Sequence, residues 1–74
     1  MKVLNYTVYL QKAEEGGFVV SVPALPGCVT EGESREEALE MIGDAISGYI
    51  ASLKKHGEPI PEDVTEFEKV TVSV

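Results

Sequence analysis

Alternation of apolar and polar residues predicts two strands near the amino terminus. Side chains at every second position share one face of a strand, so residues 3–11 and residues 18–22 read as two half-buried strands. The Gly16-Gly17 pair between them supplies the positive φ angles that a tight hairpin turn needs. The alternating apolar positions are Leu4, Tyr6, Val8 and Leu10 in the first strand and Phe18, Val20 and Val22 in the second.

Proline and glycine predict a turn and a short third strand after these two. Pro23 ends the second strand because proline cannot donate to the strand ladder. Pro26 and Gly27 stand at the two central positions of a type II turn between Leu25 and Cys28. The third strand is therefore expected at about residues 28–31.

A long amphipathic helix is predicted next. Ser34 and Glu37 have the spacing of a capping box, in which each side chain satisfies a free backbone N–H of the first helical turn. Gly57 is a typical helix stop, and Pro59 prevents the helix from resuming. The apolar stripe is broad enough to pack on a sheet, and it consists of Ala38, Leu39, Ile42, Ala45, Ile46, Tyr49, Ile50 and Leu53.

Two glycines inside this helix call for a separate explanation. Turn geometry accounts for Gly27 and Gly32. Gly43 and Gly48, in contrast, each cost about 0.8–1 kcal/mol relative to alanine in a helix interior. We therefore expect the sheet or a neighbouring helix to approach closely at both positions.

A last alternation predicts a fourth strand, in which Val70, Val72 and Val74 share one face. The predicted order is βββαβ, an α+β fold whose mainly antiparallel sheet of about four strands carries one helix on one face. Strand four would run parallel to strand one through a right-handed crossover. The second face of the sheet is partly apolar, so another copy or a partner should cover it, and a dimer or tetramer is expected. Its apolar residues are Val3, Tyr9 and Val19, with Phe67 as a further candidate.

Composition describes one small acidic domain over residues 1–74, without a linker or an internal repeat. The formal net charge of −7 disfavours direct nucleic-acid binding by this chain and favours a basic partner. The single cysteine, Cys28, cannot form an internal disulfide. The sequence shows neither a signal peptide nor an apolar run long enough for a membrane span, so we expect a cytoplasmic protein.

The stretch from Glu15 to Gly32 resembles the HicB-like antitoxin domain. The resemblance covers about residues 4 to 64 of the chain. Its most specific parts are the run Glu15-Gly16-Gly17-Phe18-Val19-Val20-Ser21-Val22-Pro23-Ala24-Leu25-Pro26-Gly27-Cys28-Val29-Thr30-Glu31-Gly32, then Ser34, Glu36, Glu37 and Ala38, and finally Gly57-Glu58-Pro59-Ile60-Pro61.

This resemblance implies both a fold and a function. Members of the family have a truncated ribonuclease-H-like βββαβ fold, and many silence a small basic RNA-cleaving toxin of the HicA type by binding it. The implied function is therefore that of a non-enzymatic antitoxin. Longer members add a carboxy-terminal DNA-binding domain, which nothing in this sequence matches, so the resemblance is to a short form.

Few side chains are placed to carry a reaction. Nucleases of the ribonuclease-H-like fold hold two metal ions with carboxylates, one of them on the first strand, and the predicted first strand has no Asp or Glu. His56 is the only histidine and lies at the helix end, where a cation is stabilised. We therefore expect no catalytic residue, metal or cofactor. A degenerate metal-assisted nuclease stays an alternative, because Glu33, Glu36, Glu37, Glu40 and Asp44 have spacings that could bind a cation weakly.

Acidic residues and one turn are the candidates for binding a partner. Carboxylates at the hairpin and around the helix start could face a basic toxin. The turn at Leu25 presents an apolar side chain on a rigid loop, although that side chain could equally pack under the helix. A stand-alone oligomer with an unknown ligand is a further alternative. The candidate partner-binding residues are Glu14, Glu15, Leu25, Pro26, Gly27, Glu31 and Glu33.

Overall fold

Three short antiparallel strands followed by one long helix make up the fold, in a computed structural model that describes residues 4–74. The strands are β1 (Tyr9–Lys12), β2 (Phe18–Ser21) and β3 (Val29–Gly32), and the helix is α1 (Arg35–Lys55). The sheet order is β1-β2-β3, with antiparallel pairing at both junctions. The predicted α+β class, with one helix on one face of an antiparallel sheet, is confirmed.

The hairpin between β1 and β2 turns on its two glycines. Gly16 has φ 101° and Gly17 has φ 79°, both in the positive region that residues other than glycine rarely adopt. The Ala13 N–H donates to the Gly17 carbonyl over 3.0 Å and closes the turn. The register that follows pairs Leu10 with Val20, so that both point toward the helix side of the sheet.

A type II turn joins β2 to β3, as predicted. The Cys28 N–H donates to the Leu25 carbonyl over 3.0 Å, and Gly27 has φ 81° at the position that requires it. The Val22 N–H donates to the Cys28 carbonyl over 3.0 Å. The loop that contains this turn is closed by the bond between Val22 and Cys28. β2 therefore ends at Ser21, one residue earlier than expected, and β3 begins at Val29.

β1 is shorter than the predicted strand over residues 3–11. Tyr9 pairs with Ser21, so the residues before Tyr9 continue toward Val22 and Pro23. Val22 already bonds within the turn, and Pro23 has no N–H, so the ladder has no partner there. Residues 4–8 therefore precede β1 without strand pairing, and the predicted start at Val3 lies outside the described residues.

The amino end of α1 is capped by Ser34. Its hydroxyl oxygen accepts the Glu37 N–H over 3.1 Å, the first half of the predicted capping box. The Glu37 carboxylate accepts the Glu33 N–H over 3.1 Å instead of the N–H of Ser34. The cap thus ties the connection from β3 to the first helical turn.

The carboxyl end of α1 closes at Gly57, as predicted. Gly57 has φ 67°, and its N–H donates to the Lys54 carbonyl over 3.2 Å. The Glu58 N–H donates to the Leu53 carbonyl over 2.9 Å, which completes a Schellman motif. The His56 ring donates from Nδ1 to the backbone carbonyl four residues earlier, over 2.8 Å.

The core lies between α1 and the sheet. Leu25, Val20 and Ala38 are fully buried in it. Cys28 is buried too, and desolvation raises the pKa of its thiol, so the side chain stays neutral and packs as a small apolar group. The buried set is Val20, Val22, Leu25, Cys28, Ala38, Ile42 and Ile50.

The close approach expected at the helix glycines is absent within the chain. A Cβ atom added at Gly43 or at Gly48 would meet nothing within 4 Å in the described structure. Both positions are exposed because they lie beside the apolar stripe that faces the sheet. The prediction of sheet contact there is wrong.

The predicted fourth strand is also absent, since residues 58–74 contain no strand. Val70 and Val72 are 82% and 72% exposed, and Phe67 is 61% exposed. Ordering a strand costs about 1–2 kcal/mol per residue, and these exposed side chains gain little burial that would offset this cost. The structure thus matches the βββα part of the predicted βββαβ order, and the fourth strand is not seen in the described residues.

None of the described residues covers the face of the sheet opposite α1. Tyr9 is 47% exposed and Val29 is 56% exposed, and both lie on this face with half-buried Val19. The apolar second face that the sequence predicts is thus present. Val3, which was expected to contribute to it, lies outside the described residues.

Candidate partner-binding surface

An open groove of about 630 Å³ lies where the β1–β2 turn, the end of β3 and the first turn of α1 meet. Glu15, Glu31 and Glu33, three of the residues predicted to bind a partner, line it together with Glu37. All four are exposed. We call this feature the acidic groove.

Two glycines allow the backbone segments around the acidic groove to come close together. A Cβ atom at Gly32 would lie 2.5 Å from the Ala38 nitrogen and 2.8 Å from the Ala38 Cα. A Cβ atom at Gly17 would lie 2.7 Å from the Gly32 carbonyl oxygen. Turn geometry therefore does not explain Gly32, which lies in β3 and is needed for the contact with α1. This contact fixes the positions of Glu31 and Glu33, the residues on either side of Gly32.

The carboxylates of the acidic groove differ in what they bond to. Glu37 is held by the helix cap, because its carboxylate accepts the Glu33 N–H. The groove also lies at the amino end of α1, where the helix dipole stabilises negative charge.

Among residues 4–74, no three His, Cys, Asp or Glu side chains are placed to hold a metal ion together. The groove is therefore suited to attract a Lys or Arg side chain of a basic partner.

The other predicted binding residues lie outside the acidic groove. Glu14 is exposed on the β1–β2 turn but does not line it. Leu25 is fully buried, so its side chain packs beneath the helix and is not presented on the turn as a contact for a partner. Pro26 and Gly27 are exposed, and the Tyr49 hydroxyl donates to the Pro26 carbonyl over 2.9 Å.

The exposed turn and the acidic groove form two separate patches. Tyr49, which anchors the turn, lies about 18 Å farther along the helix axis than Glu37, at 1.5 Å per residue. A small partner that touches both patches would have to extend along α1. The structure thus brings together only Glu15, Glu31 and Glu33 from the predicted set.

Asp63 is a structural residue that the sequence reasoning missed. Its Oδ2 accepts the Thr7 N–H over 2.7 Å and the Thr7 hydroxyl over 2.6 Å, and its Oδ1 accepts the Thr65 N–H over 3.2 Å. The bond from the Thr7 hydroxyl is the main reason that the pKa of Asp63 falls to about 2. Beside it, the Tyr6 hydroxyl donates to the Pro61 carbonyl over 2.6 Å. The spacing of Asp63 and Thr65 is the only local signal for this contact.

The fold and surface define a small α+β domain with an acidic groove, and comparison with known proteins gives its family. The family model described as the HicB_like antitoxin of bacterial toxin-antitoxin system matches residues 6–73. The chain belongs to this family.

Relatives of two kinds match the chain. A UPF0150 protein of Thermoplasma acidophilum is 54% identical over 69 residues, which are 93% of this chain and 97% of that protein. A UPF0150 protein of Synechocystis is 40% identical over 84% of this chain and 78% of its own length. Antitoxin HicB 1 of Photorhabdus laumondii is 43% identical over 82% of this chain but only 39% of its own length.

The helix of the structure does not resemble a membrane span. Within residues 4–74, no helix is both long enough and apolar enough to cross a bilayer. α1 instead presents acidic residues in its first turn and lysines in its last turn.

Proposed function

We propose that this chain is an antitoxin that binds a small basic RNA-cleaving toxin of the HicA type and blocks its access to RNA. Family membership supports an antitoxin, and antitoxin HicB 1 is 43% identical over 82% of the chain. The observation that carries the proposal is the acidic groove, in which Glu15, Glu31 and Glu33 lie on one surface. The chain acts by binding and catalyses no reaction.

Charge would guide the two proteins together. The formal net charge of −7 attracts a basic toxin over distances of about one Debye length, roughly 8–10 Å in physiological salt. Each exposed ion pair in the groove contributes only about 0.2–1 kcal/mol, so most of the affinity must come from the area that the complex buries. Pro26 and Gly27 lie on a rigid exposed turn that would supply part of this buried area.

The same charges explain how RNA would be excluded. Carboxylates placed beside the toxin repel a phosphate backbone, so the complex both covers the toxin and disfavours the approach of its substrate. The chain itself binds no nucleic acid directly. We also propose that it acts in the cytoplasm, as a homo-oligomer, and with the truncated ribonuclease-H-like topology of its family.

An RNA-cleavage assay tests the antitoxin proposal. The probe is a purified small basic toxin of the HicA type, incubated with RNA in the presence of increasing amounts of this chain. We expect stoichiometric inhibition, and we expect the double variant Glu31→Lys, Glu33→Lys to inhibit at least about tenfold less well, which corresponds to about 1.4 kcal/mol.

The double variant Glu58→Lys, Glu62→Lys is the matched control, because it reverses the same number of exposed charges beyond the opposite end of α1. This variant should inhibit like the unmodified chain. Equal weakening by the groove and control variants would show that only the overall charge matters. A toxin that cleaves RNA at the same rate with and without the chain would refute the proposal.

A stand-alone protein with an unknown ligand is the second candidate. It is supported by the 54% identity to the UPF0150 protein of Thermoplasma acidophilum over 93% of this chain. In that case no adjacent basic toxin would bind the chain. The third reading, a metal-assisted nuclease, predicts RNA cleavage by the purified chain with Mg²⁺ or Mn²⁺, whereas an antitoxin gives no turnover.

A further inference from the structure

The segment after Asp63 has the sequence of a strand but forms no strand pairing with the other described residues, 4–63. Residues 69–74 alternate polar side chains with Val70, Val72 and Val74. These valines and Phe67 are among the most exposed large apolar residues of the described structure. We call residues 64–74 the carboxy-terminal segment.

The protomer exposes more surface than a complete domain of its mass. Its accessible surface is 6133 Å², whereas a folded monomer of 8.0 kDa has about 4,500 Å². Its radius of gyration is 14.3 Å, against about 11 Å for a compact chain of this length. The excess of about 1,600 Å² per protomer exceeds the roughly 800 Å² that each partner buries in a standard stable interface, so a second copy has enough surface to bind.

β1 offers an open edge where such a segment could add. β1 is an outer strand of the three-stranded sheet, so within residues 4–74 one side of Tyr9–Lys12 has no strand partner for its backbone donors and acceptors. Between the residues before β1 and the second half of α1 lies a groove of about 340 Å³, lined largely by Leu4, Tyr6, Ile46 and Ile50. A strand beside β1 would bring its inward valines next to this groove.

The contact at Asp63 places the start of the segment at the right position. Its carboxylate holds the backbone N–H of Thr7, two residues before β1 begins. A side chain, and not a paired backbone, occupies that donor, and residues 66–74 form no strand in the sheet that contains β1. Two copies related by a two-fold axis beside β1 would bring each segment to the open edge of the other.

We propose that the partner is a second copy of this chain and that the two copies exchange carboxy-terminal segments, each adding as a strand to the β1 edge of the other. The exchange also brings apolar side chains near the uncovered sheet face at Tyr9. This proposal specifies the homo-oligomer proposed above and does not depend on toxin binding, so the two can fail separately.

The test measures the mass of the full chain by light scattering and sedimentation across a wide range of concentration, together with hydrogen exchange. We expect a dimer or a multiple of it, with protected amides at Tyr9–Lys12 and in the carboxy-terminal segment. Val72→Pro removes a backbone donor and an apolar contact, so it should weaken association by about tenfold or more.

Met41→Lys is the matched control, because Met41 is an exposed apolar residue on α1. It should leave the mass unchanged, and circular dichroism should show that both variants keep the helix. A monomer at all concentrations would overturn the proposal. So would an oligomer that resists Val72→Pro while the segment exchanges its amide hydrogens freely.

Discussion

Replacing Gly32 by alanine should destabilise the protein, because this glycine lets β3 touch the helix. The added Cβ would lie 2.5 Å and 2.8 Å from backbone atoms of Ala38 and 3.0 Å from the Glu37 carbonyl carbon. Backbone atoms cannot rotate away, so β3 and α1 must separate. Overpacking of this kind costs about 1–3 kcal/mol, and the lower entropy of the unfolded alanine chain returns about 0.4–1 kcal/mol.

We expect a net loss of about 1.3 kcal/mol for Gly32→Ala, measured by urea or thermal unfolding followed by circular dichroism. For a domain of this size, that loss lowers Tm by about 5–10 °C. Gly43→Ala is the matched control, because its Cβ would meet nothing within 4 Å. It should instead stabilise the helix by about 0.8–1 kcal/mol. A Gly32→Ala variant as stable as the unmodified protein would show that β3 and α1 are not held in this close contact.

Two further predictions concern a core residue and a titrating one. Leu25→Ala should cost about 2–5 kcal/mol of unfolding free energy, because the side chain is fully buried. Toxin inhibition per folded molecule should not change. A large loss of inhibition would instead place Leu25 in the interface with the toxin. The pKa of Asp63 lies at about 2, below its ordinary 3.8, so its contact with Thr7 stabilises the fold above about pH 4 and is lost as the pH falls through about 2. The Thr7 amide resonance should therefore titrate near pH 2 and lose this titration in Asp63→Asn, whereas a midpoint near pH 4 would contradict the bonds seen here.

Features set by a few neighbouring residues could be predicted from the sequence. Ser34 caps the helix and Gly57 ends it, because both depend on backbone groups within one turn. The Gly16-Gly17 turn likewise follows from the positive φ angles that glycine allows. The acidic residues around the helix start could also be identified, since their exposure follows from charge.

Contacts between distant residues could not be predicted in the same way. Asp63 and Thr7 are 56 positions apart, and nothing in either neighbourhood specifies the other. Gly32 resembles a turn glycine in the sequence, and only its position against Ala38 shows why a side chain is not tolerated. Leu25 had two plausible positions because an apolar residue in a turn can face either the core or the solvent.

The carboxy-terminal segment shows how a correct local prediction can fail in a single chain. Alternation reports the tendency of residues 69–74 to form a strand, but a strand forms only where an edge and an apolar surface receive it. A pair formed through β1 would provide both. It would also leave Glu31 and Glu33 free, because β3 lies at the opposite edge of the sheet. Self-association and toxin binding would then use different surfaces, and a dimer could hold two toxins at once.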